Sequence, residues 1–132
     1  MAVFQKSFVL FMASLCFCFS SFPTASTQNQ GTATFFSPPY VPSACYGNED
    51  KGQSIASAST EIWNNGNVCG QIYHFTCVSV PSTQLGSGCL GTSWPVMVVD
   101  HCLGCNTTFG LSQEVFRYLA DTNAGEITIS YT

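Results

Sequence analysis

The chain has 132 residues, of which 45% are hydrophobic and only 8% are charged. Its formal net charge is −4 at pH 7, because seven residues are acidic and three are basic. Such a chain would repel a polyphosphate, so nucleic acid is not an expected partner.

The N-terminal segment 1–26 predicts a secretory signal peptide. Lys6 precedes an apolar run over 8–19, and small residues follow at 24–26. The apolar run has roughly a dozen residues, whereas a membrane span needs about 20, although a retained signal anchor is the alternative. We therefore expect a mature domain over 27–132 that is secreted to the apoplast, monomeric and not membrane-spanning.

Cysteine usage agrees with an extracellular domain. Removing the leader takes away two of the eight cysteines. The remaining six are Cys45, Cys69, Cys77, Cys89, Cys102 and Cys105. An even number in an oxidising compartment predicts three disulfides, each worth about 2 to 4 kcal/mol, with the pairing left open. The mature domain keeps all seven acidic residues but only Lys51 and Arg117 among the basic ones, which gives a formal net charge of −5.

The first predicted elements are a strand, a loop and a helix. Residues 33–36 predict a strand, and the three prolines between 38 and 42 predict an extended loop without ladder donors. Residues 53–67 predict a short helix with small residues on one face and Trp63 near its end. Gly66 is expected to end this helix in the left-handed conformation.

Two further strands follow along the chain. Residues 71–77 alternate in polarity, with the aromatic residues and Cys77 on one face, and predict a strand with both faces partly covered. Residues 94–100 are more continuously apolar. They predict a strand that is buried on both sides and carries Asp100 to the rim.

A helix and a strand complete the pattern. Ser112 can cap a helix over 113–120, and residues 126–132 predict a closing strand. The inward stripe of the helix is Val115, Phe116 and Leu119. Short strands with two short helices in a cystine-rich chain predict a mainly β fold, a closed barrel with appended helices, whose strand order stays open.

A CxxC motif with an adjacent histidine spans His101-Cys102-Leu103-Gly104-Cys105. Zinc would need a second close ligand pair, and a redox dithiol usually lies beside a βαβ pattern; neither accompanies this motif. A structural disulfide that closes a tight turn is favoured, and no metal or cofactor is expected. The following sequon, Asn106-Thr107-Thr108, predicts an accessible N-glycosylation site and hence a glycoprotein.

Hydrolysis of a sugar polymer would need two carboxyl groups across a cleft. Asp100 is the best-placed candidate, and its alternative role is to accept backbone N–H bonds from the following turn. Glu114 is more simply a first-turn acid that complements the helix dipole. Exposed aromatic side chains could stack on sugars, although most aromatics in so small a domain belong to the core. The aromatic candidates are Tyr40, Tyr46, Trp63, Tyr73 and Trp94.

Several segments of the mature chain occur in the order typical of one protein family. They are GTATFF, PPYVPSACYG, IWNNGNVCG, the strand ending in FTC, VMVVDHC, LSQEVF and ITISYT. With them the chain resembles the EG45-like family, the plant natriuretic peptide group that is related to the first domain of expansins. The resemblance implies a six-stranded double-psi β-barrel and the disulfides Cys45–Cys69, Cys77–Cys89 and Cys102–Cys105.

The resemblance also argues against catalysis. Glycosidases of this lineage use two aspartates, and Asp100 matches the Val-Asp-x-Cys segment of the family. The second acid would precede a Leu-Ser pair, where this chain has Gly110. Because losing a general acid lowers a rate by about 10² to 10⁴, efficient cleavage is not expected. Full-length expansins carry a second, carbohydrate-binding domain and the match covers only the first, so a wall-loosening role is less expected.

The family resemblance favours a non-enzymatic secreted signal with a role in water and ion homeostasis, acting through a cell-surface receptor. The receptor-active region corresponds to about 39–72. Its candidate contacts are Pro39, Tyr40, Ser43, Tyr46, Trp63, Asn64, Asn65 and Gly66. The alternative is a cell-wall polysaccharide binder, less expectedly a hydrolase, with Asp100 in a groove lined by Tyr40, Tyr46 and Trp94. A third, defence-type interpretation rests on similarity of the barrel to barwin domains.

Overall fold

The computed structural model describes residues 28–81 and 88–132, so the predicted signal peptide over 1–26 lies outside the described residues. The elements are β1 (Asn29–Phe36), β2 (Ile55–Ala58), α1 (Thr60–Trp63), β3 (Ile72–Ser79), β4 (Ser93–His101), β5 (Phe109–Ser112), α2 (Gln113–Leu119) and β6 (Ile127–Tyr131). Single turns of 3-10 helix occur at Asn64–Gly66 and Thr122–Ala124. In the two described ranges, no helix has the length and apolar character needed to cross a bilayer.

The six strands form a closed ring in the order β1-β5-β2-β4-β3-β6. Each strand pairs with two neighbours; β1 with β5 and β2 with β4 are parallel pairs, and the other pairs are antiparallel. Parallel partners cannot be joined by a tight hairpin, so the chain crosses over between them. The predicted mainly β barrel with short helices is confirmed.

An aromatic cluster fills the barrel and orients the strands around it. The rings of Phe75 and Phe109 are 4.8 Å apart, and the ring of Tyr131 lies 5.0 Å from that of Phe109. Tyr73 packs edge-on against Tyr131 at 5.6 Å. The sugar-stacking role considered for Tyr73 therefore gives way to its alternative, because this ring belongs to the core.

Helix α2 closes one side of the core as its pattern predicts. The Ser112 side chain accepts a hydrogen bond from the Val115 N–H at 3.2 Å, which caps the helix. Val115, Phe116 and Leu119 are all buried. The predicted cap, the helix and its inward stripe are confirmed. The helix ends at Leu119, and the turn at Thr122–Ala124 that follows is separate from it.

The predicted helix over 53–67 is wrong in its first half. Residues Ile55–Ala58 form strand β2, whose four residues are all buried between β4 and β5. Small side chains allow close packing there, and strand pairing on both sides overrides the helix propensity of alanine. Helix α1 then spans only Thr60–Trp63, and the left-handed Asn64 (φ 44°) ends it before Gly66 (φ 84°) is reached.

Two burial predictions also differ from the structure. Ile72 and Val78 on the outer face of β3 are 49% and 47% exposed, so only one face of that strand is covered. Strand β4 alternates up to Val98 and has an exposed Pro95, so it is not buried on both sides throughout. The outer face of a small barrel contacts solvent, which explains both differences.

Strand β5 was missing from the pattern because it is short and contains Gly110.

Three disulfides join Cys45 to Cys69, Cys77 to Cys89 and Cys102 to Cys105. These are the pairs that the family resemblance implies. The first pair ties the loop after β1 to the segment after α1, and the third closes the turn directly after β4. Among the described residues, no group of three His, Cys, Asp or Glu side chains is placed to hold a metal ion.

Candidate functional site

A row of four paired residues crosses the outer side of the barrel. Thr34 of β1 is paired with Gly110 of β5. Gly110 is paired in turn with Ser57 of β2, and Ser57 with Asp100 of β4. Residues that pair directly across neighbouring strands point to the same face of a sheet, so the four residues share one face. They line a depression of about 210 Å³, the Asp100 depression. Its other lining residues are Phe35, Phe36, His101 and Cys102.

Asp100 is held by a loop from much earlier in the chain. Its Oδ1 accepts a hydrogen bond from the Ala44 N–H at 2.8 Å. Next to it, the Cys45 N–H donates to the Val99 carbonyl at 2.9 Å. Because the Cys45–Cys69 disulfide anchors the same loop, the position of the carboxylate depends on that anchor.

The turn after Asp100 was predicted, as the alternative, to donate to this carboxylate. The donor in the structure is Ala44 instead, and the Cys102 N–H of that turn donates to the Ala58 carbonyl at 2.8 Å. The turn after β4 bonds to the end of β2 because β2 and β4 run parallel and end at the same edge. The structural role of Asp100 is thus to fix a distant loop.

One ring of a stacked aromatic pair, that of His101, lines the depression beside Asp100. The rings of Trp63 and His101 have centroids 4.7 Å apart and planes at 5°. His101 Nε2 lies 3.1 Å from the Thr60 Oγ1, which further fixes the imidazole. A flat aromatic surface next to a few oriented polar groups is the usual composition of a small-molecule binding site.

Gly110, where the family resemblance implies a second acid, lies between Thr34 and Ser57 in this row. A Cβ added there would lie 2.5 Å from Ser57 Oγ and 3.5 Å from the Phe36 ring. Gly110 is two strands from Asp100, which places their Cα atoms about 10 Å apart. The two carboxyl groups of inverting glycosidases are separated by about 6.5 to 9.5 Å. The row holds one carboxylate, that of Asp100.

Glu114 lies in a different part of the surface from Asp100. The Tyr40 hydroxyl donates a hydrogen bond to Glu114 Oε2, and the Gln113 N–H donates to the same hydroxyl at 3.3 Å. Glu114 lines a second depression, of about 180 Å³, together with Trp94 and not with Asp100. The Glu114 carboxylate is thus occupied by its hydrogen bond from the Tyr40 hydroxyl.

None of the three aromatics predicted to share a groove with Asp100 lines the Asp100 depression. Trp94 stacks on Tyr118 with centroids 4.1 Å apart. It precedes Asp100 by six residues in β4, which corresponds to about 20 Å along a strand. The Tyr46 ring lies under Lys51 Nζ at 4.3 Å. The Tyr40 ring packs edge-on at 5.3 Å against Phe36, which is a lining residue of the Asp100 depression.

Several known proteins are similar to this chain over most of its length. An EG45-like domain containing protein of Citrus jambhiri is 42% identical over 124 residues, which cover 93% of this chain and 93% of the relative. The chain belongs to the EG45-like family. A putative EG45-like domain containing protein 1 of Arabidopsis thaliana is 41% identical, with 96% of this chain and 98% of the relative covered.

Solved structures extend the similarity to expansins. The apo expansin of Clavibacter michiganensis has a TM-score of 0.63 and 27% identity over 80% of the EG45-like chain. An Asp-to-Asn variant of that expansin, in complex with cellohexaose, has a TM-score of 0.62. The EG45-like chain spans 50% of the length of these expansin chains. A family model described as lytic transglycolase matches residues 55–131. The expansin-like double-psi β-barrel implied by the resemblance is thus confirmed.

The candidate receptor contacts form two groups on the EG45-like barrel. Pro39 and Tyr40 lie near Phe36 and α2. The other group surrounds the Cys45–Cys69 disulfide. It consists of Ser43, Tyr46, Trp63, Asn64, Asn65 and Gly66. In this second group Ser43 is buried, and the Ser43 backbone pairs with Gly47 in a tight turn. Asn64 and Asn65 are instead exposed and left-handed, with φ of 44° and 54°.

The predicted glycosylation site of the EG45-like domain has an exposed acceptor. Asn106 is exposed, while the Thr108 hydroxyl accepts a hydrogen bond from the Thr32 N–H at 3.0 Å. Asn106 also borders a cavity of about 250 Å³ on the side of the barrel formed by α1 and the Cys102–Cys105 turn. Glycosylation itself stays a prediction.

Five lining residues of the Asp100 depression were missed by sequence reasoning: Thr34, Phe35, Phe36, Ser57 and His101. Ser57 was hidden because β2 was assigned to a helix, and Phe36 was treated only as a strand residue. His101 was considered as a neighbour of the CxxC motif and not as an aromatic partner of Trp63. Its position directly after Asp100 was the available signal, since adjacent residues at a strand end border the same rim.

Alkaline pH should weaken the fold through Tyr40. Burial, together with the hydrogen bond to Glu114, raises the pKa of Tyr40 from 10.0 to about 12. A raised pKa favours the neutral phenol in the folded state, so the contribution of Tyr40 to stability is complete below pH 10 and is lost as the pH rises toward 12. Urea unfolding at about pH 8 and about pH 11 should show a larger loss for wild type than for Tyr40→Phe. Burial also raises the pKa of Tyr131, but both proteins share that group. Equal losses in the two proteins would contradict the role of Tyr40.

Proposed function

We propose that the mature protein is a secreted, non-hydrolytic expansin-like module that binds a neutral cell-wall glucan on its Asp100 face, which is the surface around the Asp100 depression. The observation that carries the proposal is the Trp63–His101 stack, of which His101 lines the Asp100 depression. Aromatic surface contacts the apolar faces of a sugar ring, and the Asp100 carboxylate accepts hydrogen bonds from sugar hydroxyls. The signal peptide at 1–26 would deliver the domain to the wall.

The ligand class is supported by a neighbour and by charge. The Clavibacter michiganensis expansin variant was solved with cellohexaose, a neutral glucose oligomer. The mature domain carries only two basic residues, so an anionic polymer would be repelled. A neutral glucan satisfies both considerations.

Binding without cleavage follows from the single carboxylate in the row. A glycosidase needs one acid to protonate the leaving oxygen and a second carboxylate to activate water or form a bond to the sugar. Asp100 can supply one of these groups, and Gly110 has no proton to give. Glu114 is not placed to act as the second carboxylate, because it is hydrogen-bonded to Tyr40 and lines a different depression.

Trp63→Ala should weaken cellohexaose binding by at least about tenfold, as loss of a central aromatic contact typically does. The chain has two tryptophans, so a nitrogen-labelled sample gives two well-separated indole N–H signals for an NMR titration. In wild type the Trp63 signal should shift with added cellohexaose. Val78→Ala is the control, because Val78 is 47% exposed on the outer face of β3. No response of the Trp63 signal in wild type would refute glucan binding at this face.

We infer a second candidate function, that of a plant natriuretic peptide-like signal for water and ion homeostasis acting through a cell-surface receptor. The favouring observation is the pair Asn64 and Asn65, both exposed and left-handed, which follows α1 and precedes the disulfide-bonded Cys69. A pre-organised loop lowers the ordering cost of binding a receptor. This function and glucan binding use neighbouring residues and are separable by mutation.

The double variant Asn64→Gly/Asn65→Gly should abolish the signalling response and leave cellohexaose binding within about twofold, since glycine keeps both backbone conformations but removes both amides. Protoplast volume and cyclic GMP after addition of the mature protein are the measurements. Gly47→Ala is unsuitable as a control because of its positive φ, so exposed Asn48→Ala serves. If wild type leaves both quantities unchanged, the signalling function is wrong.

A further inference from the structure

A second aromatic platform lies at the opposite end of β4 from Asp100. Trp94 and Tyr118 stack with centroids 4.1 Å apart and planes at 12°, and Tyr118 remains 49% exposed. The Trp94 Nε1–H donates to Ser54 Oγ at 3.1 Å, which fixes the indole plane. The Thr92 hydroxyl donates to the Tyr118 carbonyl at 2.9 Å and helps to hold the end of α2. The pair therefore presents a flat surface in a defined orientation.

Polar groups converge on the depression beside this platform. Its volume is about 180 Å³, and Gln53, Ser54 and Glu114 line it together with the two rings. Glu114 is oriented by the Tyr40 hydroxyl. The Gln53 side chain is an amide that can both donate and accept, and the carboxylate only accepts. Ring faces beside a mixed set of donors and acceptors match the apolar faces and hydroxyl edges of a neutral sugar.

A run of contacting residues connects the platform with the Asp100 depression. Gln53 lines the platform depression and also a third one, of about 190 Å³, which contains Tyr40. The Tyr40 hydroxyl bonds to Glu114, and its ring packs on Phe36, a lining residue of the Asp100 depression. The two ends are about 20 Å apart along β4. A linear oligosaccharide is an occupant that could follow this path, because its sugar units repeat the same chemistry.

We propose that Trp94, Tyr118, Glu114 and Gln53 form a second sugar subsite that binds a further segment of the same neutral glucan chain. This inference rests on the proposed function for its ligand class, but its residues are distinct from those around Asp100. Occupation of both sites by one chain raises the affinity of a long oligosaccharide over that of a short one, since the second contact is intramolecular. Cellobiose is too short to reach both ends, whereas cellohexaose is not.

The two tryptophans report on the two sites separately. In an NMR titration of the full mature protein, cellohexaose should shift both indole signals with one affinity, which should exceed that of cellobiose by at least about tenfold. Tyr118→Ala should suppress the response of Trp94, keep the response of Trp63, and lower cellohexaose affinity by about tenfold. Ile72→Ala is the matched control, because Ile72 is also 49% exposed but lies on β3. Its affinity should equal that of wild type.

Each result has a distinct meaning. A shift of Trp63 without any shift of Trp94 overturns the second subsite and leaves the proposed function standing. A shift of Trp94 alone supports a sugar site at the platform and overturns glucan binding at Asp100. An equal loss of affinity in Tyr118→Ala and Ile72→Ala overturns the subsite, and so does tighter binding of an oligogalacturonate, because the platform is assigned to a neutral sugar.

Discussion

Replacing Cys45 and Cys69 together with alanine should lower the free energy of unfolding by about 3 kcal/mol and weaken cellohexaose binding by at least about tenfold. The disulfide closes a separation of 24 residues, whose closure entropy the unfolded chain would regain. It also anchors the loop whose Ala44 N–H holds Asp100 and whose Cys45 N–H bonds to Val99. Urea unfolding and the Trp63 indole titration measure the two effects.

The second disulfide provides the matched control. Cys77 and Cys89 are separated by 12 residues, so their replacement should lower stability by a similar amount, about 3 kcal/mol. Neither cysteine lines the Asp100 depression. At the Trp63 signal, the affinity of the folded Cys77→Ala/Cys89→Ala protein for cellobiose, which is too short to reach the Trp94–Tyr118 platform, should therefore equal that of wild type. If the two double variants lose affinity equally, the Cys45–Cys69 disulfide has no special role in holding Asp100.

Gly110→Asp should destabilise the fold by about 3 kcal/mol, and Ser57→Ala should recover at least about 1 kcal/mol of that loss. The added Cβ would lie 2.5 Å from Ser57 Oγ, and both positions are buried, so the strands or the serine must move. The variant also buries a carboxylate beside Phe36, which raises its cost further. Ser57→Ala removes the hydroxyl that the added Cβ would contact. It also removes the 3.3 Å hydrogen bond from Ser57 Oγ to the Gly110 carbonyl.

A double-mutant cycle measures this coupling directly. Wild type, both single variants and Gly110→Asp/Ser57→Ala are compared by urea unfolding, and Gly110→Ala repeats the cycle without the charge. Changes at independent sites add within about 0.5 kcal/mol. Additivity in both cycles would show that Ser57 does not exclude a side chain from position 110. The expected coupling means that a side chain at position 110 is accommodated better when position 57 is alanine.

Local pattern predicted those elements whose burial follows from their own sequence. Helix α2, its Ser112 cap and the strand β6 were all recognisable because apolar residues recur at helix or strand spacing. Strand β2 was not recognisable, since its small residues suit a helix equally well and only pairing with β4 and β5 decides between the two. The family resemblance supplied the barrel, which pattern left without a strand order.

The site was predictable in part for the same reason. Asp100 could be placed because it ends an apolar strand, and Gly110 was singled out because the family resemblance implies an acid there. The Ala44 donor lies 56 residues from Asp100, and the row from Thr34 to Asp100 joins four strands, so both depend on tertiary structure. Trp94 lies in a different depression from Asp100, because aromatic composition does not specify at which end of a strand a ring will lie.

The most direct test is the fate of cellohexaose held on the Asp100 face. Purified mature protein is incubated with enough cellohexaose to saturate the shift of the Trp63 indole signal, and the saccharides are then separated by chromatography. We expect the Trp63 signal to shift and the cellohexaose to remain intact, because one carboxylate binds the sugar and no second acid cleaves it. Shorter cellodextrins that accumulate with wild type and not with Asp100→Asn would contradict this and make the protein a hydrolase.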